Sequence, residues 1–343
     1  METSSELQAA AENVDAKNVT AKISIKERIK LFFKFALVGV VFYYLYRKGL
    51  VTGESFSKLF HSPFAMLMCL FLIGLNTLLG ALRWQVLLRT QGAELPFGRV
   101  LNLNLIGAFF NIALPGAVSG DFVKAVYVAK QFKDKRAAVF GSMLFDRLLG
   151  ASAMIFVGAF SALISCYMDW GGHLPSVLLY SICGVGFAVV LFFVYLFCSH
   201  KKDPLFSILR FFTRRHVKLG AVDRLYHGVM GYRAYPTRVL KGLLLSVAIH
   251  ILLVLMAFFI TEAIAPSSVS LIAMAVIVPT GLLATTVPVL PAGVGTGHAA
   301  FYALFHMIGS NLGAEVFSLI VVYQVLVGLV GGVVYLRLSS EKR

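Results

Sequence analysis

A chain of 343 residues would ordinarily hold two or three water-soluble domains. The composition excludes that: 59% of the residues are hydrophobic, only 14% are charged and mean hydropathy is +0.83. An average soluble protein is about 25% charged. The net charge of +15 would suit nucleic acid in a soluble chain, so its placement along the sequence has to decide between nucleic acid and lipid.

Residues 1–27 are polar and mixed in charge, with Glu2, Glu6, Glu12, Asp15, Lys17, Lys22 and Lys26. They lack the basic-then-apolar order and cleavage site of a signal peptide, so a cytosolic tail is expected. A membrane-spanning helix needs about 20 mostly apolar residues. Six stretches qualify: 29–46, 63–82, 137–168, 174–198, 240–262 and 316–336. Two further apolar stretches, 97–115 and 269–309, are broken by glycine and proline. Cys69, Cys166, Cys183 and Cys198 lie in or at the ends of apolar runs without CxxC spacing, which points to packing rather than metal or disulfide chemistry.

The Lys/Arg bias of short loops sets the orientation. Residues 199–241 carry ten Lys/Arg and two Asp, which places them in the cytoplasm. Residues 120–136 (Lys124, Lys130, Lys133, Lys135, Arg136) and 83–99 (Arg83, Arg89, Arg99) fall on the same side. Residues 169–175 and 262–270 carry an acid and no Lys/Arg, so they lie outside. The loop 47–62 fits less well, because it should be outside yet carries Arg47, Lys48 and Lys58. With both its flanks inside, 97–115 cannot be a net crossing. With both its flanks outside, 269–309 cannot be one either. Each is expected to enter and return, from opposite faces. The predicted fold is an all-α integral membrane protein with about six full spans plus two oppositely oriented re-entrant hairpins forming an inverted repeat. Its membrane domain covers 28–343, with halves at about 28–168 and 174–338.

The two hairpins turn on similar sequences. The first reads Leu114-Pro115-Gly116-Ala117-Val118-Ser119-Gly120-Asp121, the second Leu290-Pro291-Ala292-Gly293-Val294-Gly295-Thr296-Gly297-His298. Irregular backbone at membrane depth is tolerated only inside protein or along a wet cavity. Two such broken segments in matching places of two halves point to a transporter's binding site. Ser119 and Thr296 are placed to cap the returning half-helices, whose N-termini would present free N–H groups to an anion.

Charged residues inside spans are costly and usually functional. Asp146 and Arg147 lie nine and ten residues into the 137–168 run, about 14 Å along the helix. Neighbours on a helix point about 100° apart, so these two need not pair with each other; Arg147 is suited to a phosphate or to a carboxylate such as Asp121. Lys124 follows Asp121 at i+3 and shares its face. Arg83 and Trp84 end the second span and read as an interface anchor. His250, with Ser246 one turn before it, reads as a hydrogen-bonded packing histidine. His298, at a half-helix start, reads as functional. Asn102, Asn104, Asn111 and Gln324 are amides suited to gluing helices or lining a cavity. The basic loop, with Phe206, Phe211, Phe212, Tyr226, Tyr232 and Tyr235, suits an amphipathic helix on anionic lipid. The positive-inside rule already accounts for the excess charge, so no nucleic-acid partner is expected. No Ser-His-Asp order, HExxH or paired carboxylates at catalytic spacing is present.

In these residues the chain resembles the lysylphosphatidylglycerol synthase transmembrane (flippase-like) family. The resemblance is carried by Ala81-Leu82-Arg83-Trp84, by Phe110-Asn111 running into Leu114-Pro115-Gly116 and Gly120-Asp121, by Lys124 and Tyr127, by Asp146-Arg147-Leu148, and by the turn from Leu290-Pro291 to His298. It covers roughly residues 28–338. It implies a multi-span domain that moves a phospholipid between leaflets, with the Gly-Asp turn, the Asp-Arg pair and the late glycine turn as functional residues. Lys124 stands where the family usually has Arg, and His298 about where it has Glu. These 343 residues hold no polar segment long enough for the aminoacyl-transferase domain of some members, so synthase activity is not expected.

The expected function is a lipid translocase for an anionic or glycosylated headgroup, without cofactor or metal. Its expected substrate-binding residues are Asn111, Pro115, Gly116, Ser119, Gly120, Asp121, Lys124, Asp146, Arg147, Pro291, Gly293, Gly295, Thr296 and His298. The alternatives are a membrane-embedded transferase with Asp146 or His298 as base, and an accessory subunit that holds a glycosyltransferase or lipid-modifying enzyme through 199–241. The expected location is a bacterial inner membrane, with both termini cytoplasmic.

Overall fold

In a computed structural model of the chain, the structure describes residues 53–113, 119–168, 175–198, 226–286, 293 and 295–340, together with Tyr43 and Arg47. The predicted first span, the N-terminal tail, most of the basic loop and the two Leu-Pro turns lie outside the described residues. So do Pro115, Gly116 and Pro291.

The described helices are α1 (Gly53–Phe60), α2 (Pro63–Thr90), α3 (Phe97–Ala113), α4 (Ser119–Gln131), α5 (Arg136–Met168), α6 (Ser176–Phe197), α7 (Pro236–Ile264), α8 (Leu271–Ala284), α9 (Thr296–His306) and α10 (Gly313–Ser340). Among them α2, α5, α6, α7 and α10 are long and apolar enough to cross a membrane. Many large apolar side chains face outward, including Phe64, Phe71, Tyr180, Phe187 and Leu191. In water such a surface would drive association; in a bilayer it meets acyl chains. The chain is an integral membrane protein.

Local chemistry sets the helix boundaries. Pro63 and Pro236 occupy the first turns of α2 and α7, where a missing N–H costs nothing. Gly92 ends α2 at φ 72°, and the amides of Gly92 and Ala93 return to the carbonyls of Arg89 and Leu88. Lys135 Nζ then donates to Gly92 O at 2.7 Å, tying this corner to the start of α5. Ser270 caps α8 by accepting from Ala273 N at 3.2 Å.

The order long, short, short, long occurs twice, first in α2–α5 and again in α7–α10. The packing follows the same exchange. Helix α2 lies along α7, α3 along α10, and α8 along α5. Within each group the two short helices pack on each other, and the second packs on the following long helix. Swapping the groups maps this set of contacts onto itself.

Small residues permit the closest crossings. A Cβ on Gly120 of α4 would lie 1.8 Å from Gly107 O of α3, and one on Gly331 of α10 would lie 1.9 Å from Leu105 O of α3. Helix α3 is thus pressed between α4 and α10 at distances only glycine allows. At one end of the bundle, Tyr232 stacks on Phe145 with centroids 4.1 Å apart. Its hydroxyl donates to Leu87 O at 2.9 Å, which fastens the segment before α7 to α2 and α5. Cys69 is buried as expected of a packing residue, whereas Cys166 and Cys198 are exposed.

Candidate functional site

A cavity of about 620 Å³ opens between the two groups of helices. Both groups supply its wall: Asn76, Thr77, Gly80 and Arg83 from α2, Asn104, Ala108, Asn111 and Ile112 from α3, Asp121 and Lys124 from α4, and Asp146 and Arg147 from α5 face His250 on α7, Leu282 on α8, Thr285, Thr286 and Gly293 beyond α8, and Phe317 and Gln324 on α10. The ends of α3 and α8, each just before a Leu-Pro turn, therefore meet at one space.

Its charges form two ion-paired groups. In the first, Arg83 Nε and Nη2 donate to Asp146 Oδ1 and Oδ2 at 2.7 and 2.9 Å, a bidentate fork. Arg83 Nη1 donates to Ser246 Oγ at 2.9 Å, and Ser246 donates on to Gly242 O. In the second, Asp121 binds Lys124 through Oδ1 at 2.8 Å and Arg147 through Oδ2. The ammonium of Lys124 also reaches Asn104 Oδ1 at 3.2 Å and lies 4.6 Å over the Trp84 ring. Asp146 and Arg147 thus face different partners, as their 100° separation suggests.

Four of these side chains are nearly sealed. Lys124, Asp146, Asp121 and Arg83 expose 5, 7, 10 and 12% of their side-chain surface, against 41% for Arg147. Arg147 is the most exposed of the three cations that line the cavity.

The N-terminus of α4 is held from α3. The amide of Gly120 donates to Asn111 Oδ1 at 2.8 Å, so Asn111 reaches across the turn to cap it. Ser119 Oγ donates to Phe110 O at 3.2 Å. The late turn is held differently. Gly293 and Gly295 hold φ of 70° and 89°, the left-handed region where glycine is favoured. Thr296 Oγ1 donates to Gly293 O at 3.2 Å. His298 folds its ring back, accepting from Gly295 N at 3.3 Å through Nδ1 and meeting Ser318 Oγ at 2.9 Å through Nε2. The edge of Phe317 packs on it at 4.8 Å. His298 is 4% exposed, and neither it nor Gly295 or Thr296 is among the cavity-lining residues.

Of the expected site residues, Asn111, Asp121, Lys124, Asp146, Arg147 and Gly293 line the cavity, while Ser119 and Gly120 sit behind it at the α3/α4 crossing. Arg83 and Trp84 are corrected: neither is an interface anchor. Arg83 neutralises Asp146, and Trp84 is fully buried under Lys124. The sequence signal for Arg83 was a cation without a partner at the end of one span and a carboxylate deep in another. His250 is held through Nε2 by Gly150 O at 3.0 Å, in keeping with a packing histidine, yet it also lines the cavity. Among the described residues no group of His, Cys, Asp and Glu is placed to hold a metal ion.

The fold and site define a class: a polytopic, all-helical membrane protein with an ion-paired polar chamber between its long helices. The chain belongs to the Lysylphosphatidylglycerol synthase TM region family, whose pattern matches residues 31–334. It is similar to a UPF0104 membrane protein of Methanothermobacter thermautotrophicus, at 24% identity over 250 residues, or 68% of this chain and 72% of that protein. No solved structure shows a significant match.

Proposed function

We propose that the protein is a lipid translocase that passes an anionic headgroup through the cavity between its two helix groups. The observation that carries this reading is the ion-paired chamber itself: two nearly sealed cations, two nearly sealed carboxylates and the more exposed Arg147, set among apolar spans and lined from both groups. Buried charge in a membrane is expensive and marks substrate or ion pathways. Arg147 receives the phosphate, Lys124 and Arg83 add positive potential behind it, and Asp121 and Asp146 hold the three cations in place. The acyl chains stay in the bilayer.

The topology is read as an inverted repeat. Helices of 13 and 11 residues, α4 and α9, reach about 20 and 16 Å at 1.5 Å per residue. A bilayer core is about 30 Å thick. We therefore read α3/α4 and α8/α9 as hairpins that enter and return. With α6 as the single crossing between the two groups, the second group is inverted relative to the first. The repeated helix order and the exchange symmetry of the packing support this. Two inverted groups around a midplane site suit alternating access, in which one group rocks against the other. Leaflet-resolved assay of a labelled anionic lipid in proteoliposomes tests the function. Unchanged movement by an Asp121→Ala/Arg147→Ala protein would overturn the residue assignment.

A further inference from the structure

Resting on the translocase reading, we infer that the cavity takes a phosphodiester lipid whose headgroup is uncharged and rich in hydroxyls, and disfavours headgroups that carry an ammonium. Charge gives the first half of the argument. Arg83, Lys124 and Arg147 face Asp121 and Asp146, a formal sum of +1 among the described lining residues. The two turns add nothing, since 114–118 and 287–294 contain no ionisable residue. A phosphodiester carries one negative charge and neutralises this sum. A diphosphate overshoots it.

The carboxylates exclude the opposite sign. Both oxygens of Asp146 are already paired with Arg83, and the two of Asp121 with Lys124 and Arg147. An ammonium group, such as that of an ethanolamine or a lysyl ester, would have to share carboxylates that three cations already bind, in a lining whose charges sum to +1. Repulsion between like charges in a low-dielectric site costs far more than in water.

Hydrogen-bonding capacity gives the second half. Among the described residues, Asn111 Oδ1 is used by Gly120 while its Nδ2 makes no bond, and Asn76 Nδ2 donates to Ile249 O while its Oδ1 makes none. Gln324 lines the same wall, and neither end of its amide bonds to a described residue. Thr77, Thr285 and Thr286 donate to backbone carbonyls of their own turns, leaving oxygen lone pairs. The wall therefore offers both donors and acceptors. A phosphate only accepts and an ammonium only donates, but a hydroxyl does both. A site built to bond hydroxyls discriminates strongly against analogues that lack them. The volume of about 620 Å³ leaves room beyond the phosphate for such a group.

The test uses the full chain in phosphatidylcholine vesicles with trace labelled lipids of identical acyl chains: phosphatidylglycerol, phosphatidic acid, phosphatidylethanolamine and lysylphosphatidylglycerol. Phosphatidylglycerol is expected to move at least about tenfold faster than each of the others, the scale of one lost polar contact. Gln324→Leu should cut its advantage over phosphatidic acid without improving the ammonium lipids. Equal or faster movement of either ammonium lipid overturns the charge argument, and equal movement of phosphatidic acid overturns the hydroxyl argument. A second arm measures binding alone, as thermal stabilisation of the purified protein by glycerophosphoglycerol against glycerophosphoethanolamine. Selective binding without movement upholds the headgroup class and sinks the translocase. Movement without selectivity sinks the class and upholds the translocase. Stabilisation by neither compound, together with no movement of any lipid, overturns both.

Discussion

Replacing Arg83 with methionine would leave Asp146 as a buried carboxylate without its ion-pair partner. Its side chain is 7% exposed, and both oxygens depend on the fork at 2.7 and 2.9 Å. Ser246 would lose its charged donor as well. Breaking a buried pair by removing one member costs about 3–5 kcal/mol, because the remaining charge is uncompensated. Asp146→Leu alone strands the guanidinium and should cost a similar amount. The double variant Arg83→Met/Asp146→Leu removes both charges and refills the space, and such replacements are close to neutral. A strong coupling is therefore expected, above about 2 kcal/mol. In a thermal unfolding assay on detergent-purified protein, each single variant should melt roughly 6–10 °C lower, and the double variant should recover most of that loss. Single variants that melt within about 2 °C of the parent, or a double variant whose loss equals the sum of the singles, would refute the pairing.

Two further predictions test the surroundings of the site. Gly120→Ala places a Cβ 1.8 Å from Gly107 O, so α3 and α4 must separate; the variant should be poorly folded by size exclusion and melt well below the parent, and a normal melting profile would contradict the close crossing. His298→Ala leaves Gly295 N–H without its acceptor and Ser318 without its ring partner, at a cost of about 1–3 kcal/mol. The folded fraction should keep its headgroup preference, because His298 does not line the cavity; a lost preference at unchanged stability would place His298 in the site after all.

How much of this was legible in the sequence depends on the range of each interaction. The five described spans were plain from run length alone. Lys124 and Asp121 were visible on one helix face at i, i+3, and the 100° offset between Asp146 and Arg147 left them free not to pair with each other. What a single sequence lacks is the register between distant helices. Arg83 and Asp146 are 63 residues apart, so Arg83 looked like a terminal cation suited to snorkelling. Asn111 stood out as an amide, but nothing local showed that it would cap a helix beginning after the turn. The late turn misled for the opposite reason. Its likeness to the first turn suggested two equivalent helix ends facing a ligand, while the ring of His298, three residues past Gly295, bends back and occupies its own. The two turns share Leu-Pro and a Val three residues later, but one helix start is capped by Asn111 from before the turn and the other by His298 from within its own first turn.

The most direct test of the central claim is leaflet-resolved movement of labelled phosphatidylglycerol in proteoliposomes, comparing the parent chain with Asp121→Ala/Arg147→Ala at matched reconstitution. The ion-paired chamber requires the parent to move the lipid well above protein-free vesicles and the variant to fall to near that background. Parent vesicles that behave like protein-free ones, or a variant as active as the parent, would contradict it.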